Sequence, residues 1–381
     1  MNINIFGSTG IIGNKCLYLI NKYYPKIQIN LLVANNNVKK LIYQTKLYNP
    51  KFVCIMNEKK LTELKKNINT KIKIINGNNL NSFLLSSKSD LSILAISGYK
   101  SLNHFDAILN NTSSLGLVSK EAIVSAGHLF RNLGKKKLSK LFPLDSEHFS
   151  IYDYFKSKKK QEFEKLFITA SGGPFFGKKF NSLKNISSKE ASKHPKWKMG
   201  FKNSIDSATL VNKCLEVIEA QYLFKIPYDK LDILIHPESR IHSIFQKKNY
   251  TYEMVGFHND MSIPIMNFLN QDSNILEIKH FLFKPMSSNS FFDVKISQFP
   301  IYKLFLNLDK NNPSNIIRFN VGNEYAVNLF KKKIITYTDI YKFIDKISSL
   351  NLNYKLNNIK DVVKYHEYLE KYIESNLEKL I

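Results

Sequence analysis

Short apolar runs recur along the first third of the chain, at 3–6, 29–34, 52–56, 72–75, 91–97 and 115–118, separated by stretches of helical character. Short apolar strands that alternate with helices predict a parallel sheet covered on both faces. The texture changes near residue 142. Polar motifs become dense, and strand candidates thin out to 167–170, 231–235 and 251–255. That pattern predicts an α+β domain that carries chemistry. It weakens again at 270–289, and from about residue 300 the chain reads as helices to its end. The expected architecture is therefore α/β. A Rossmann-like, doubly wound parallel sheet occupies 1–142, a central α+β catalytic domain 143–269, a linker 270–299 and a helical C-terminal domain 300–381.

Composition supports folded cores. Of the 381 residues, 44% are hydrophobic and 13% aromatic, too apolar for a disordered chain. The formal net charge of +25 invites a nucleic-acid reading, yet only Arg131, Arg240 and Arg318 are arginine, against 53 lysines. Nucleic-acid readers lean on the planar guanidinium fork, so a lysine-coated enzyme is the better expectation. The excess of Lys, Asn and Ile fits an AT-rich genome. Cys16, Cys54 and Cys214 show no metal-ligand spacing and no disulfide framework. The chain opens directly on a strand-like MNINIF with no leader pattern, and no apolar run approaches ~18 residues. A cytoplasmic protein without a membrane span or a plastid-targeting segment is expected.

Gly7, Gly10 and Gly13 follow the first strand as GSTGIIG. Glycines there let the chain turn tightly and let a pyrophosphate approach the backbone, with the next helix presenting its N–H groups. A glycine turn between strand and helix also occurs without a ligand, so the motif is weak alone. The second strand runs into Ala34-Asn35-Asn36-Asn37-Val38-Lys39-Lys40, with no acidic residue to hold a ribose 2′-hydroxyl. That favours NADPH over NADH.

Three polar clusters mark the middle. In Asp145-Ser146-Glu147-His148, two carboxylates two apart would point the same way from an extended segment. Ser171-Gly172-Gly173-Pro174 is a small-residue turn whose backbone and hydroxyl can hold a phosphate or a sugar hydroxyl. In the third, Asp206 or Ser207 can cap a helix with Val211, Cys214, Leu215 and Ile218 on one face and Asn212, Lys213 and Glu216 on the other. Singly, each has a bland reading as a surface pair or an i,i+3 salt bridge. Together, the oxygens of Asp145, Glu147 and Glu216 suit Mg²⁺ or Mn²⁺. The loop 194–200, HPKWKMG, holds the only Trp and has the make-up of an active-site lid or of a loop anchored by its aromatic residue.

These motifs together resemble the 1-deoxy-D-xylulose 5-phosphate reductoisomerase family. The resemblance runs from GSTGIIG (7–13) through SKEAIVSAGHLF (119–130), PLDSEHFSI (143–151), TASGGPF (169–175), HPKWKMG (194–200), NSIDSATLVNKCLEVIEA (203–220) and LIHPESRIHS (234–243) to NEYAV (323–327). It implies reduction and isomerisation of a sugar phosphate with NADPH and a divalent cation, in a homodimer on the methylerythritol phosphate route to isoprenoids. It also implies that a C–C bond breaks and re-forms before hydride transfer. By motif, Asp145, Glu147 and Glu216 are implied as metal ligands. Ser146, Ser171, His194, Ser207, Asn212 and Lys213 are implied at substrate hydroxyls and phosphate, with Lys120, Glu147 and Glu216 also at the substrate. Lys120, Asp145, Glu147, His194, Lys213 and Glu216 make up the implied catalytic set. Thr9, Gly10, Ile11, Ile12, Asn36, Asn37, Ser119, Glu121 and Gly200 are implied at the cofactor. Ser119 stands where the family usually has Asn, and Asn35–Asn37 where many members have Gly and a basic residue.

Two other readings make different demands. Another NAD(P)-dependent dehydrogenase with a similar N-terminus would need no metal at the three carboxylates. A basic nucleic-acid-binding protein would bind DNA or RNA tightly and in a salt-sensitive way.

Overall fold

The computed structural model describes residues 1–157, 163–197, 199–270, 278, 281–283 and 288–381. The chain forms two compact units interleaved in sequence. The first comprises 1–122, 132–149 and 261–280, and the second 123–131, 150–260 and 281–381.

In the first unit, strands β1 (Asn2–Phe6), β2 (Gln28–Ala34), β3 (Phe52–Ile55), β4 (Lys73–Asn76), β5 (Ser89–Leu94), β6 (Thr112–Leu117) and β7 (Leu141–Pro143) form one sheet in the order β4-β3-β2-β1-β5-β6-β7. Every pairing is parallel. The order reverses beside β1, as in a doubly wound sheet, and ligands of such sheets gather at the carboxyl ends of the strands there. Ile3, Ile5, Phe6, Leu31, Leu32 and Val33 are fully buried, as continuous apolar strands in a covered sheet require.

The expected strands are present within a few residues, with two differences. The strand expected at 91–97 stops at Leu94, and Gly98 at φ 79° turns the chain a few residues further on. β7 was not anticipated, since a three-residue edge strand carries no periodicity. Helix Ser262–Leu269, placed by sequence with the central domain, belongs to this first unit. Phe268 packs edge-on against Phe142, ring centres 5.4 Å apart, and the Tyr24 hydroxyl donates to the Met266 carbonyl.

In the second unit, β8 (Phe163–Ala170), β9 (Leu231–Ile235), β10 (Ile241–Lys247), β11 (Tyr252–Gly256) and β12 (Phe292–Asp293) form a mixed sheet ordered β11-β10-β8-β9-β12. Only β8 and β9 run parallel. β10 escaped the sequence reading because His242 and Ser243 interrupt its apolar pattern, although both are buried. Of the expected linker, 271–277, 279–280 and 284–287 lie outside the described residues, and Phe292–Asp293 pairs with β9. From Pro300 the chain is helical, as expected, with Pro300–Asn307, Pro313–Lys331, Asp339–Ser348 and Ile359–Ser375 as the main helices. The first two carry Pro in the first turn, where its missing N–H costs nothing. Arg318 is buried in the longest of these helices and donates to the Ser348 and Leu352 carbonyls and to the Tyr365 hydroxyl.

Candidate active site

The glycine loop lies between β1 and helix Ile11–Tyr23, at the reversal of the sheet. Gly7 has φ 83°, and a β-carbon on it would overlap the Ala95 carbonyl, so only glycine fits. A β-carbon on Gly13 would press on the loop backbone, 2.6 Å from the Ser8 Cα. The Gly10 N–H closes a turn onto the Gly7 carbonyl at 3.0 Å. Gly10 caps the helix without a side chain, and no acidic residue occupies the first turn. The first N–H groups of a helix have no partner within it, so Ile11 and Ile12 offer theirs to an anion. Ile11 is 62% exposed, a position that a packing role does not explain.

Asn36 and Asn37 lie beyond the end of β2. Asn37 caps helix Val38–Tyr48 by accepting from the Lys40 N–H, and Asn36 accepts from the Asn57 side chain. Ser119 is buried after β6, its hydroxyl 3.3 Å from that of Ser101. Glu121 is buried in the first turn of helix Lys120–Phe130.

The first carboxylate cluster is not extended, contrary to expectation. Asp145 starts helix Ser146–Ser157, accepting from the Glu147 N–H on Oδ1 and from the Phe149 N–H on its carbonyl. Asp before Ser-Glu is a helix-start sequence, and that preference outweighs the strand preceding it. Asp145 and Glu147 are thus gathered by one helical turn. The Lys120 Nζ lies 3.2 Å from Asp145 Oδ2, and the Ser146 hydroxyl donates to Glu147.

In the second unit, the turn after β8 carries Gly172 and Gly173 at φ 78° and 69°. A β-carbon on Gly173 would lie 2.8 Å from the Ala208 Cα, so this turn packs directly against helix Phe201–Thr209. Ser171, Ser207 and His194 converge there. The Ser171 Oγ lies 2.9 Å from His194 Nε2 and 3.5 Å from the Ser207 Oγ. His194 Nδ1 accepts from the N–H groups of Lys196 and Trp197, which leaves the proton of a neutral ring on Nε2, aimed at Ser171. Trp197 faces His242 edge-on at 6.3 Å. Lys198 of the expected lid lies outside the described residues, and Gly200 caps helix Phe201–Thr209.

Asp206 and Ser207 do not cap the Asn212–Glu216 helix. Both sit inside the preceding helix, which ends where Leu210 takes a left-handed conformation at φ 72° before Val211–Phe224 begins. Asp206 is buried and accepts from Lys202 Nζ at 2.7 Å and from the Asn323 amide at 2.8 Å. Tyr337 donates to the Ala208 carbonyl at 2.8 Å. Asp206, Asn323 and Tyr337 thus brace the turn that carries Ser207. On the next helix Val211, Cys214, Leu215 and Ile218 are buried as expected. The Asn212 amide donates to Glu216, and the Lys213 Nζ lies 2.7 Å from Glu216 Oε2. Glu216 is fully buried, so its charge depends on these partners.

Sequence analysis passed over Gln44, Asn14 and Asn323 and took Asp206 for a helix cap, whereas all four hold functional segments in place. Asn323 and Asp206 lie within the family-like segments 323–327 and 203–220, whereas Gln44 and Asn14 carry no signal beyond a polar residue on a helix.

A glycine loop at the reversal of a parallel sheet and clustered carboxylate, lysine, serine and histidine side chains define an α/β enzyme of the dinucleotide-dependent oxidoreductase class. Three models of 1-deoxy-D-xylulose 5-phosphate reductoisomerase domains match residues 3–127, 141–224 and 258–372. The reductoisomerase of Pelagibacter ubique is 36% identical, covering 98% of both chains, and that of Ehrlichia canis is 36% identical over 99% of both. The fold is similar to a crystal structure of the reductoisomerase in complex with NADPH, fosmidomycin and magnesium, with a TM-score of 0.87, 27% identity, and 100% and 99% of the two chains covered. The NADPH complex of the Zymomonas mobilis enzyme matches with a TM-score of 0.85 at 29% identity, over 97% of each chain. The chain belongs to the 1-deoxy-D-xylulose 5-phosphate reductoisomerase family.

Proposed function

We propose that this chain converts 1-deoxy-D-xylulose 5-phosphate to 2-C-methyl-D-erythritol 4-phosphate, using NADPH and Mg²⁺ or Mn²⁺, in isoprenoid biosynthesis. The observation that carries the proposal is the set of buried or half-buried polar side chains the chain keeps in the family's order, each already oriented by a partner.

The residues fit both groups. The Gly7 position leaves no room for a side chain, and the adjoining helix start is uncharged, as a pyrophosphate requires. Thr9, Gly10, Ile11 and Ile12 would meet the pyrophosphate. Asn36 and Asn37 would lie towards the ribose, and Ser119, Glu121 and Gly200 towards the nicotinamide end. Asp145, Glu147 and Glu216 are hard oxygen donors of the kind Mg²⁺ and Mn²⁺ take, and they would hold the cation. When bound, the cation supplies Lewis acidity to the substrate oxygens and NADPH supplies the hydride.

The chain's own side chains do the rest. Lys120, beside Asp145, neutralises and orients the carboxylate end of the site. Ser146 holds Glu147 by a hydrogen bond. Lys213 and Asn212 hold Glu216 and would turn to substrate hydroxyls. Ser171, Ser207 and the Nε2–H of His194 present donors that suit a phosphate. The phosphate, remote from the reacting carbons, would supply the binding energy that draws the Trp197 segment closed and excludes water.

A homodimer is supported by β11, an edge strand whose Tyr252 and Met254 are exposed, next to Tyr250 at 81% exposure. A bare apolar edge of this kind is ordinarily covered. A boundary near 142 is supported by the family models that end at 127 and begin at 141, whereas the model spanning 258–372 runs across the expected divisions at 269 and 299. No helix among the described residues is long and apolar enough to cross a membrane. Work in the cytoplasm on a small phosphorylated substrate, without nucleic acid, is the setting that fits.

The test is loss of NADPH absorbance with 1-deoxy-D-xylulose 5-phosphate, with and without Mg²⁺ or Mn²⁺. Metal-dependent oxidation is expected. A folded protein inert with both cations would overturn the proposal.

A further inference from the structure

The glycine loop is tied down from behind by two amide side chains. Gln44 belongs to helix Val38–Tyr48, which follows the next strand of the sheet, and is 1% exposed. Its Oε1 accepts from the Ser8 hydroxyl at 2.9 Å. Its Nε2 donates to the Ser8 carbonyl at 2.8 Å and to Asn14 Oδ1 at 2.9 Å. Asn14 in turn donates to the Thr9 carbonyl at 3.1 Å and the Gly10 carbonyl at 2.5 Å. Three consecutive loop carbonyls are therefore engaged by amide donors.

Carbonyl oxygens carry partial negative charge and repel a phosphate, whereas the N–H groups of the same peptides attract one. A loop of glycines and small residues can rotate its peptides at little cost. Fixing the Ser8 and Gly10 carbonyls inward leaves the Thr9 and Ile11 N–H groups of the same peptides for the ligand, while the Gly10 N–H closes the turn onto the Gly7 carbonyl. An amide is the side chain suited to this, because it accepts from the Ser8 hydroxyl and donates to the Ser8 carbonyl at once. A carboxylate in its place would repel the carbonyl, and an apolar residue would bind neither.

We propose that Gln44, acting with Asn14, is a positioning residue that pre-sets the main chain of the 7–13 loop to receive the cofactor pyrophosphate, without touching the cofactor. The inference rests on the reading that this chain binds NADPH. Gln44→Met keeps the length of the side chain and removes its hydrogen bonds. Asn14→Ala removes only the second link, at a half-buried helix position where Ala is favourable.

The experiment compares the dissociation constant for NADPH of the wild-type, Gln44→Met and Asn14→Ala proteins by fluorescence titration, with amide exchange of the loop in the cofactor-free proteins. Steady-state kinetics follow. The dissociation constant and the KM for NADPH should rise about tenfold or more in Gln44→Met, as expected from losing hydrogen bonds of ordinary strength, and less in Asn14→Ala, where Gln44 keeps both its bonds to Ser8. Loop exchange should quicken, while kcat at saturating NADPH and the KM for the sugar phosphate hold. Wild-type affinity in both folded variants would overturn the proposal, as would an equal loss in kcat and in the KM for both ligands. If Gln44→Met does not fold, Asn14→Ala decides alone. A wild-type protein that does not bind NADPH would instead remove the functional reading on which this rests.

Discussion

The glycine loop after β1 and the helix Val211–Phe224 are both held from behind, yet they offer opposite things to a ligand. The loop offers main chain. What matters there is that Gly7 can adopt φ 83° and that Gln44 and Asn14 take up the carbonyls. The helix offers side chains. Asn212, Lys213 and Glu216 are spaced to meet one another, and their charges are already balanced in the protein. A main-chain site depends on shape and on the direction in which its peptides point. A side-chain site depends on the identity of each group and tolerates little chemical change even when shape is kept.

The most severe way to break that comparison is Glu216→Gln, which changes charge and leaves shape nearly untouched. Loss of an anionic oxygen from the proposed metal set should lower kcat/KM by roughly 10²–10³-fold, equivalent to a few kcal/mol of transition-state stabilisation. NADPH binding should stay at the wild-type level. Steady-state kinetics beside a cofactor titration read both, and a variant with near wild-type turnover would remove Glu216 from the metal set.

The complementary change alters shape and no charge. In Gly7→Ala the added methyl group meets the Ala95 carbonyl at a left-handed backbone position. The conformation alone should cost about 1–3 kcal/mol, and relief of the overlap must move β1 or β5. A lower midpoint in denaturant and weakened NADPH binding are expected together. Unchanged binding at reduced stability would show that the loop's shape matters to the fold and not to the ligand.

The two regions were also unequally legible. Gly7, Gly10 and Gly13 announced the loop because few residues other than glycine can do what they do, and continuous apolar strands announced the sheet around it. The clasp by Gln44 was hidden, because a single polar residue on a helix gives no sign of which way it points. In the second unit the residue types were legible and their local structure was not. Asp145-Ser146-Glu147 reads as an extended pair until one asks which residues begin helices. Asp206 reads as a cap because nothing in the sequence shows that Leu210 adopts φ 72° and breaks the helix four residues later. β10 stayed hidden because its buried positions include His242 and Ser243, which pair and pack through tertiary contacts that no periodicity encodes. Functional chemistry was visible where residue type alone specifies it, and supporting chemistry was invisible where long-range partners specify it.

The smallest expected effect concerns how each region's support responds to acid. In the first unit the loop's clasp is made of amides and a hydroxyl, none of which titrates. In the second, helix Ile359–Ser375 docks through His366, wholly buried, with Nε2 2.9 Å from the Ser125 Oγ. Burial pushes this imidazole down to about 3, since a charged ring there would lose its hydration. The unfolded chain takes up a proton near the ordinary imidazole value of 6.5 and the folded chain does not, so the unfolded state binds more protons between those two values. Stability from this group is complete above the upper value and is lost as pH falls towards the lower, at a limiting slope of ~1.4 kcal/mol per pH unit. Replacing His366 with Gln keeps a hydrogen-bonding group beside Ser125 and removes the titration. The variant should be somewhat less stable at neutral pH, because the ring's packing is lost, yet its stability should fall less steeply on acidification. Denaturant midpoints measured from neutral pH down to about pH 4 test this within the window set by that shift. Parallel curves for the two proteins would mean that His366 is not the group through which acid acts, and the contrast between a non-titrating and a titrating support would fail.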